Sequence, residues 1–287
     1  EHPLGQAIVN EARDKNLTLS EPKQFESVTG KGVKAKIDGK LVLVGSQKLM
    51  TPLELTSKLK ENLYRLENEA KTAMLVAVEN KIIGIIAVAD TLKEDSVIAI
   101  AALEKMGLKT VMLTGDNERT AKAIAAKVGI SEVIAEVLPD QKVQKIESLQ
   151  KEFGLVAMVG DGINDAPALT QANVGIAIGT GTDIAIEASD ITLVSGDLTA
   201  VVKAIKLSLE TFKTIKQNLY WAYGYNVVAI PIAILGLLHP VIAEIAMATS
   251  SLSVVTNANL LRRKKLDYPK QDKLPGNINS RKLQHVD

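Results

Sequence analysis

The sequence predicts a mixed α/β protein: an α+β segment, then a parallel sheet with helices on both faces, then a pair of long apolar helices. Three observations carry this prediction. From about residue 86 to 200, short apolar runs alternate with longer amphipathic stretches, the pattern of strands joined by helical crossovers. Before residue 85, apolar residues alternate around tight-turn signals, as antiparallel hairpins require. After residue 218, two stretches are apolar and long enough to cross a bilayer.

Composition narrows the function classes. The 287 residues hold 34 Lys and Arg against 33 Asp and Glu, a formal charge of +1. No basic or aromatic-interleaved patch interrupts that balance, which argues against nucleic acid as a partner. Cys is 0, so neither a disulfide nor a thiolate metal site can form within these residues. The opening Glu1-His2-Pro3-Leu4 has no charged n-region and no apolar h-region, which argues against a signal peptide. It has no initiating Met and passes at once into a helical pattern, so the chain reads as a fragment.

The elements follow in order. Leu4, Ile8 and Ala12 recur at helical spacing, with Pro3 suited to the first turn. Val33 to Val44 alternates around Asp38-Gly39, a hairpin signal. Ala73–Val78 and Lys81–Val88 form two more strands joined through Glu79-Asn80. Parallel strands are expected at Leu108–Leu113, Val133–Ala135, Leu155–Val159, Val174–Ile178 and Ile191–Val194, with helices at Ser96–Met106 and Glu118–Val128. In such sheets ligands bind beyond the carboxyl ends of the strands. Thr114-Gly115-Asp116 and Gly160-Asp161-Gly162 both fall at that edge.

Leu219 to Leu238 is apolar apart from Tyr, Trp, Gly and Asn226; His239-Pro240 breaks it, and Val241 to Leu261 follows. Lys203, Lys206, Lys213 and Lys216 precede the pair and Arg262 to Lys265 close it, while the connection carries no Lys or Arg. That asymmetry places both ends on the cytosolic side of a membrane hairpin; a buried soluble hairpin is the alternative. From Asp267 the tail is polar and contains Pro269, Pro275 and Gly276, a composition that predicts disorder.

The chemistry centres on Met158 to Leu169, MVGDGINDAPAL. Two acids at a strand end are tolerable when a hard cation neutralises them, and Mg²⁺ prefers one or two carboxylates, water and a phosphate oxygen. Asp161 and Asp165 meet that demand, while Gly160 and Gly162 let the backbone approach closely. A solvated Asp-Gly turn before an Asn-capped helix fits the same residues. Thr114-Gly115-Asp116 ends another strand just before a helix, where backbone N–H groups favour an anion. Pro139-Asp140-Gln141-Lys142 opens a further helix and supplies one cation. Together these are three parts of a Mg²⁺-dependent phosphoryl-transfer site; the fourth, the nucleophile, does not stand out.

Thr114-Gly115-Asp116, Lys142 and Gly160-Asp161-Gly162-Ile163-Asn164-Asp165 resemble the phosphorylation domain of P-type ATPases, of the haloacid-dehalogenase-like fold. The resemblance implies an incomplete haloacid-dehalogenase-like parallel sheet with an inserted α+β nucleotide-binding domain and a C-terminal transmembrane hairpin. It implies catalytic roles for Thr114, Gly115, Asp116, Lys142, Asn164 and Asp165, and Mg²⁺ at Asp161 and Asp165. The family phosphorylates an aspartate in Asp-Lys-Thr-Gly-Thr, which is absent here. Asp90-Thr91-Leu92-Lys93 resembles the Asp-x-x-Lys/Arg stretch that opens the second half of that domain, and Asp90 is not taken as the nucleophile. His2-Pro3 followed by Gly30-Lys31-Gly32 resembles the nucleotide-binding domain of the heavy-metal subclass, implying that His2, Gly30 and Gly32 bind ATP; Glu1 is given no role.

Tyr225-Asn226 and Met247 with Ser250-Ser251 resemble the last two helices of Cu(I)-transporting members, implying a path lined by Tyr225, Asn226, Met247 and Ser251. A thioether suits Cu(I), whereas zinc and cadmium members place a lysine and an aspartate there; packing between helices is the alternative for these residues. Glu244 has no assigned place. The expected domains are 1–85 nucleotide-binding, 86–217 phosphorylation, 218–262 two transmembrane helices and 263–287 the tail. The implied whole is a Cu(I) exporter of the plasma (inner) membrane, its soluble domains in the cytoplasm and its membrane part in contact with lipid. The implied partners are ATP, copper ion, the missing N-terminal part of the same pump with its Cys-Pro-Cys site, and a cytosolic copper chaperone. A soluble phosphatase, a non-catalytic nucleotide-binding fragment and a Zn(II)/Cd(II) pump are the rival readings.

Overall fold

The structure is a computed structural model, and it describes residues 3–51, 53–89, 92–161, 163–179, 183–237 and 239–264. The chain separates into two compact units, Glu1–Ser195 and Gly196–Asp287. His2, Asp90, Thr91, Gly162, Lys265 and the polar tail lie outside the described residues.

The first unit begins with α1 (Pro3–Asp14) and a five-stranded antiparallel sheet in sequence order: β1 (Lys23–Val28), β2 (Gly32–Ile37), β3 (Lys40–Gly45), β4 (Lys71–Val78) and β5 (Lys81–Ala89). Two of its turns are two-residue loops with both residues left-handed: Asp38 and Gly39 at φ 51 and 80, Glu79 and Asn80 at φ 47 and 65. This geometry matches the twist of the flanking strands. Glu79 is an unusual choice, but its Oε1 accepts the Leu41 N–H at 2.6 Å while its own N–H donates to the Leu41 carbonyl at 3.0 Å. The β4 side chains bury alternately, Ala73, Leu75 and Ala77 facing inward. Leu75 and Ala77 form a core with Leu49, Met50 and Ile82, against which Leu59 of α2 (Ser57–Asn68) packs. Met50 and Leu75 are 1% and 0% exposed, each stabilising the fold by about 1.5–3 kcal/mol relative to an exposed position.

Next come α3 (Glu94–Lys105), β6 (Val111–Leu113), α4 (Glu118–Val128), β7 (Glu132–Ile134), α5 (Lys142–Phe153), β8 (Ala157–Gly160), α6 (Ala166–Gln171), β9 (Val174–Ile178), α7 (Asp183–Glu187) and β10 (Ile191–Leu193). All pairs among these strands are parallel. They form two sheets rather than one continuous sheet, in the orders β10-β9-β8 and β6-β7. Both pack on one core, in which Ile146, Leu149, Met158 and Leu169 meet Val111, Leu113 and Ile134. β6 is shorter than its apolar run predicts, because the Leu108 N–H closes the end of α3 on the Leu103 carbonyl at 3.1 Å. Likewise β8 starts late: the Val156 N–H is taken by Asn173 Oδ1 at 2.9 Å, and Leu155 is 85% exposed.

The described part of the second unit is helical. α8 (Thr199–Ile234) is one helix of 36 residues that joins the lysine-rich stretch to the apolar one, with Pro231 inside it. It ends on left-handed Gly236 (φ 72), with the Leu237 N–H on the Ile232 carbonyl at 3.0 Å. Pro240 opens α9 (Pro240–Leu261), where His239 Nδ1 accepts the Val241 N–H at 3.3 Å. The two helices are tied by Asn257 Nδ2 donating to Asn218 Oδ1 at 2.8 Å. Among the described residues, α9 is the one helix long and apolar enough to cross a membrane, with a mean hydropathy of 1.3. The apolar part of α8, from Leu219 to Ile234, spans about 24 Å of helix, short of a hydrocarbon core of roughly 30 Å.

Candidate functional site

The loop after β6 is fastened before any ligand arrives. Thr114 Oγ1 accepts the Asp116 N–H and donates to Asp116 Oδ2, both at 3.1 Å. Three backbone bonds hold the loop to the strand and turn beside it: Thr114 N–H to the Ile134 carbonyl at 3.0 Å, Glu136 N–H to the Asp116 carbonyl at 2.9 Å and Val137 N–H to the Thr114 carbonyl at 3.1 Å. Gly115 is exposed, and a Cβ there would stand 3.3 Å from the Val137 carbonyl oxygen. Asn117 caps α4 by accepting the Thr120 N–H at 3.0 Å, so the helix start is partly satisfied by its own side chain. Glu118 follows, its carboxyl held below the usual range by the hydrogen bond from Lys122.

The loop after β8 carries the charges. Asp165 ends a 3₁₀ turn, Ile163–Asp165, at the start of α6, and Lys142 is the first residue of α5. Their side chains meet at 2.6 Å, Lys142 Nζ donating to Asp165 Oδ1, each side chain 14% exposed. Gly160 makes that placement possible: a Cβ there would lie 2.8 Å from Asp165 Cβ and 3.1 Å from its Cγ. Asp161 and Asn164 are exposed at the same strand end. The structure therefore brings Lys142 and Asp165 together and leaves Asp161 open to solvent. Two carboxylates suit Mg²⁺, which fills most of its shell with water and phosphate. No cluster of three or more His, Asp or Glu able to hold a metal occurs among the described residues.

Gly30 and Gly32 take φ 68 and 140. A Cβ on Gly32 would stand 2.3 Å from the Val44 carbonyl oxygen, and one on Gly30 would stand 2.6 Å from Leu138 Cδ2. Close approach of backbone thus requires glycine at 32, whereas at 30 the left-handed φ favours it and the neighbour is a movable leucine methyl. The register opposes Gly32 to Gly45, and the Ser46 N–H donates to the Lys31 carbonyl at 2.8 Å. Ser46 Oγ is buried with no partner among the described residues. Sequence reading missed Gly45 and Ser46; the small pair ending an apolar strand opposite Gly-Lys-Gly was the available signal.

In the second unit, Tyr225 lines a cavity of about 390 Å³ between α8 and α9 with Trp221, Gly224, Val228, Ile242 and Ala246. The other three expected path residues do not line it. Asn226 Nδ2 donates to the Ala222 carbonyl at 2.7 Å, Ser251 Oγ donates to the Met247 carbonyl at 3.1 Å, and Met247 is 72% exposed.

The model of the haloacid dehalogenase-like hydrolase family matches residues 1–173. A copper-exporting P-type ATPase of Staphylococcus saprophyticus subsp. saprophyticus is 54% identical over 267 residues, 93% of this chain and 34% of that protein. One from Staphylococcus aureus is 53% identical over 274 residues, 95% of this chain and 34% of that protein. The chain thus spans about a third of the length of these curated relatives. Among solved structures, a zinc-transporting PIB-type ATPase in its E2.Pi state aligns with a TM-score of 0.67 at 37% identity, covering 91% of this chain and 42% of that one. The catalytic domain of the CPx-ATPase CopB-B, studied for its conformational changes upon nucleotide binding, aligns with a TM-score of 0.53 at 30% identity, covering 71% of this chain and 73% of that one.

Proposed function

The chain belongs to the haloacid dehalogenase-like hydrolase family, on its P-type ATPase branch, and from that premise we propose that it is the nucleotide-binding, phosphoryl-holding and C-terminal membrane portion of an ATP-driven Cu(I) export pump. The observation that carries the reading is the nearly closed Lys142–Asp165 pair at the end of β8. The aspartate that takes the phosphoryl group belongs to the remainder of that pump.

The residues present divide the work as follows. His2, Gly30 and Gly32 bind the nucleotide, joined by Gly45 and Ser46, whose backbone lies against the glycine loop. Thr114 gives its hydroxyl to Asp116 in this structure, so a phosphoryl oxygen replaces one anionic acceptor with another at little cost. Lys142 makes the same exchange: the phosphoryl oxygen competes for its ammonium and releases Asp165 Oδ1. Asn164 adds a neutral donor beside it. Mg²⁺, held by Asp161 and Asp165, supplies neutralisation of the phosphate charge. Rate enhancement by this chain is positioning and electrostatics.

Copper is favoured over zinc by the 53–54% identity to proteins named copper-exporting, against 37% to the zinc-transporting structure, and by the thioether of Met247. Tyr225, Asn226, Met247 and Ser251 line the path once the rest of the membrane part surrounds α8 and α9. The pump sits in the plasma (inner) membrane with the first unit in the cytoplasm, and a cytosolic chaperone delivers its ion.

The test uses the complete pump in vesicles. ATP should drive Cu(I) uptake and form an acid-stable phosphoprotein, and Lys142→Ala or Asp165→Asn should abolish both. Uptake of Zn²⁺ without Cu(I) would replace the cargo. Labelling of this chain by ATP in isolation would overturn the placement of the acceptor elsewhere.

A further inference from the structure

Two residues that no proposed role uses join the glycine loop to the Thr114 loop. Glu136 stands at φ 56, a left-handed backbone that a non-glycine residue keeps only when its surroundings demand it. Its N–H bonds the Asp116 carbonyl at 2.9 Å, and the next N–H, of Val137, bonds the Thr114 carbonyl at 3.1 Å. Its carboxylate reaches the other way, Oε2 accepting from Lys48 Nζ at 2.5 Å. Lys48 lies in the turn that follows Ser46, whose N–H is bonded to the Lys31 carbonyl between the two glycines. Two residues beyond Glu136, Leu138 fills the space that a Cβ on Gly30 would need.

The same two parts of the first unit meet again at a different kind of contact. Arg119 lies 3.8 Å over the Tyr64 ring and bonds Glu67 at 3.2 Å, with the Glu67 side chain 8% exposed. Thr120, 0% exposed, donates its hydroxyl to the Lys71 carbonyl at 3.0 Å. Arg119 itself is 49% exposed, but the Glu67 carboxylate and Thr120 are buried, so this contact resists separation on that side. The Lys48–Glu136 pair is 63% and 46% exposed, so solvent screening makes it the weaker of the two ties.

We propose that Glu136 is a positioning residue: through Lys48 it ties the place of the Gly30–Gly32 loop to the geometry of the Thr114–Asp116 loop, with the Arg119 contact as the fixed side. The functional sense of this latch rests on the reading of those loops as nucleotide and phosphoryl sites. Closure over a nucleotide then sets the phosphate-binding hydroxyl; opening relaxes it.

Residue-resolved hydrogen exchange on the full 287-residue chain in nanodiscs tests it. Without nucleotide, Lys48→Ala and Glu136→Gly should speed exchange at the Asp116, Glu136 and Val137 amides by about two- to five-fold, the range an exposed ion pair sustains. Glu136→Gly accepts the left-handed backbone, so it removes the carboxylate without forcing the loop to refold. The Lys48→Glu, Glu136→Lys exchange should restore the slower rates, and the Ala125 and Val128 amides of α4 should not change in any variant. With MgATP, the same three amides should slow in the native chain, and in Lys48→Ala the nucleotide should still bind without slowing them.

Unchanged exchange in both single variants, or acceleration extending equally into α4, overturns the latch. Failure of the native chain to bind MgATP, together with the nucleotide-free effect, supports the latch and overturns the nucleotide reading instead.

Discussion

Replacing Lys142 by Met removes one of two opposite charges 2.6 Å apart, each with 14% of its side chain exposed. At that separation the attraction is about 6 kcal/mol for an effective dielectric near 20. Most of it offsets the cost of withdrawing both charges from water, and the larger effect comes from leaving one charge alone. A fully buried partner left unpaired costs roughly 3–5 kcal/mol; the residual exposure here puts Lys142→Met near the low end, about 3 kcal/mol. Asp165→Asn should cost a similar amount, and the double variant should cost less than the sum, with a coupling of about 2 kcal/mol. Hydrogen exchange at the Met158, Val159 and Leu169 amides reads this as roughly a 30-fold difference in rate. A coupling below about 0.5 kcal/mol, the behaviour of a solvent-screened surface pair, would refute a buried role for Lys142 and Asp165.

Gly160→Ala places a methyl 2.8 Å from Asp165 Cβ; it should destabilise by about 1–3 kcal/mol and abolish phosphoprotein formation by the complete pump, and a melting curve with a labelling assay checks both. Thr120→Val strips a buried hydroxyl bonded to Lys71 and Asn117, costing about 1–3 kcal/mol, seen as faster exchange across α4 with little change in the second unit. Asn257→Leu removes the 2.8 Å bond to Asn218 and should loosen the helical pair by about 0.6–2 kcal/mol. The single Trp, Trp221, lies beside the α8–α9 cavity, so its fluorescence in a detergent melt reports that change; an unaltered transition would sink the claim.

The sequence showed most where a local rule decides the structure. Asp38-Gly39 forms the expected two-residue turn because the strand twist demands left-handed residues there, and α4 runs over the expected Glu118–Val128 because Asn117 and Gly129 cap it. It showed least where the outcome depends on distant partners. β1 carries Lys, Gln, Glu and Ser with nearly every position exposed, so no alternation announces it. α2 buries the acid Glu67 beside Leu63, because Arg119, far along the chain, waits for the carboxylate. In the site, the residue types and their strand ends were legible. The Lys142–Asp165 contact and the left-handed Glu136 were not, since each depends on a packing choice made elsewhere.

α8 is unbroken from Thr199 to Ile234, a rod of about 54 Å. A jointed connection absorbs motion at its joint; a continuous helix delivers it. Turning its lysine-bearing base turns Trp221 and Tyr225 by nearly the same angle, and an axial push at Thr199 shortens nothing on the way. Pro231, near the far end, is where such a rod kinks first, so Trp221 and Tyr225 lie on the driven length, while the cavity they line reaches past that point to Ile232 and would change shape as the rod kinks.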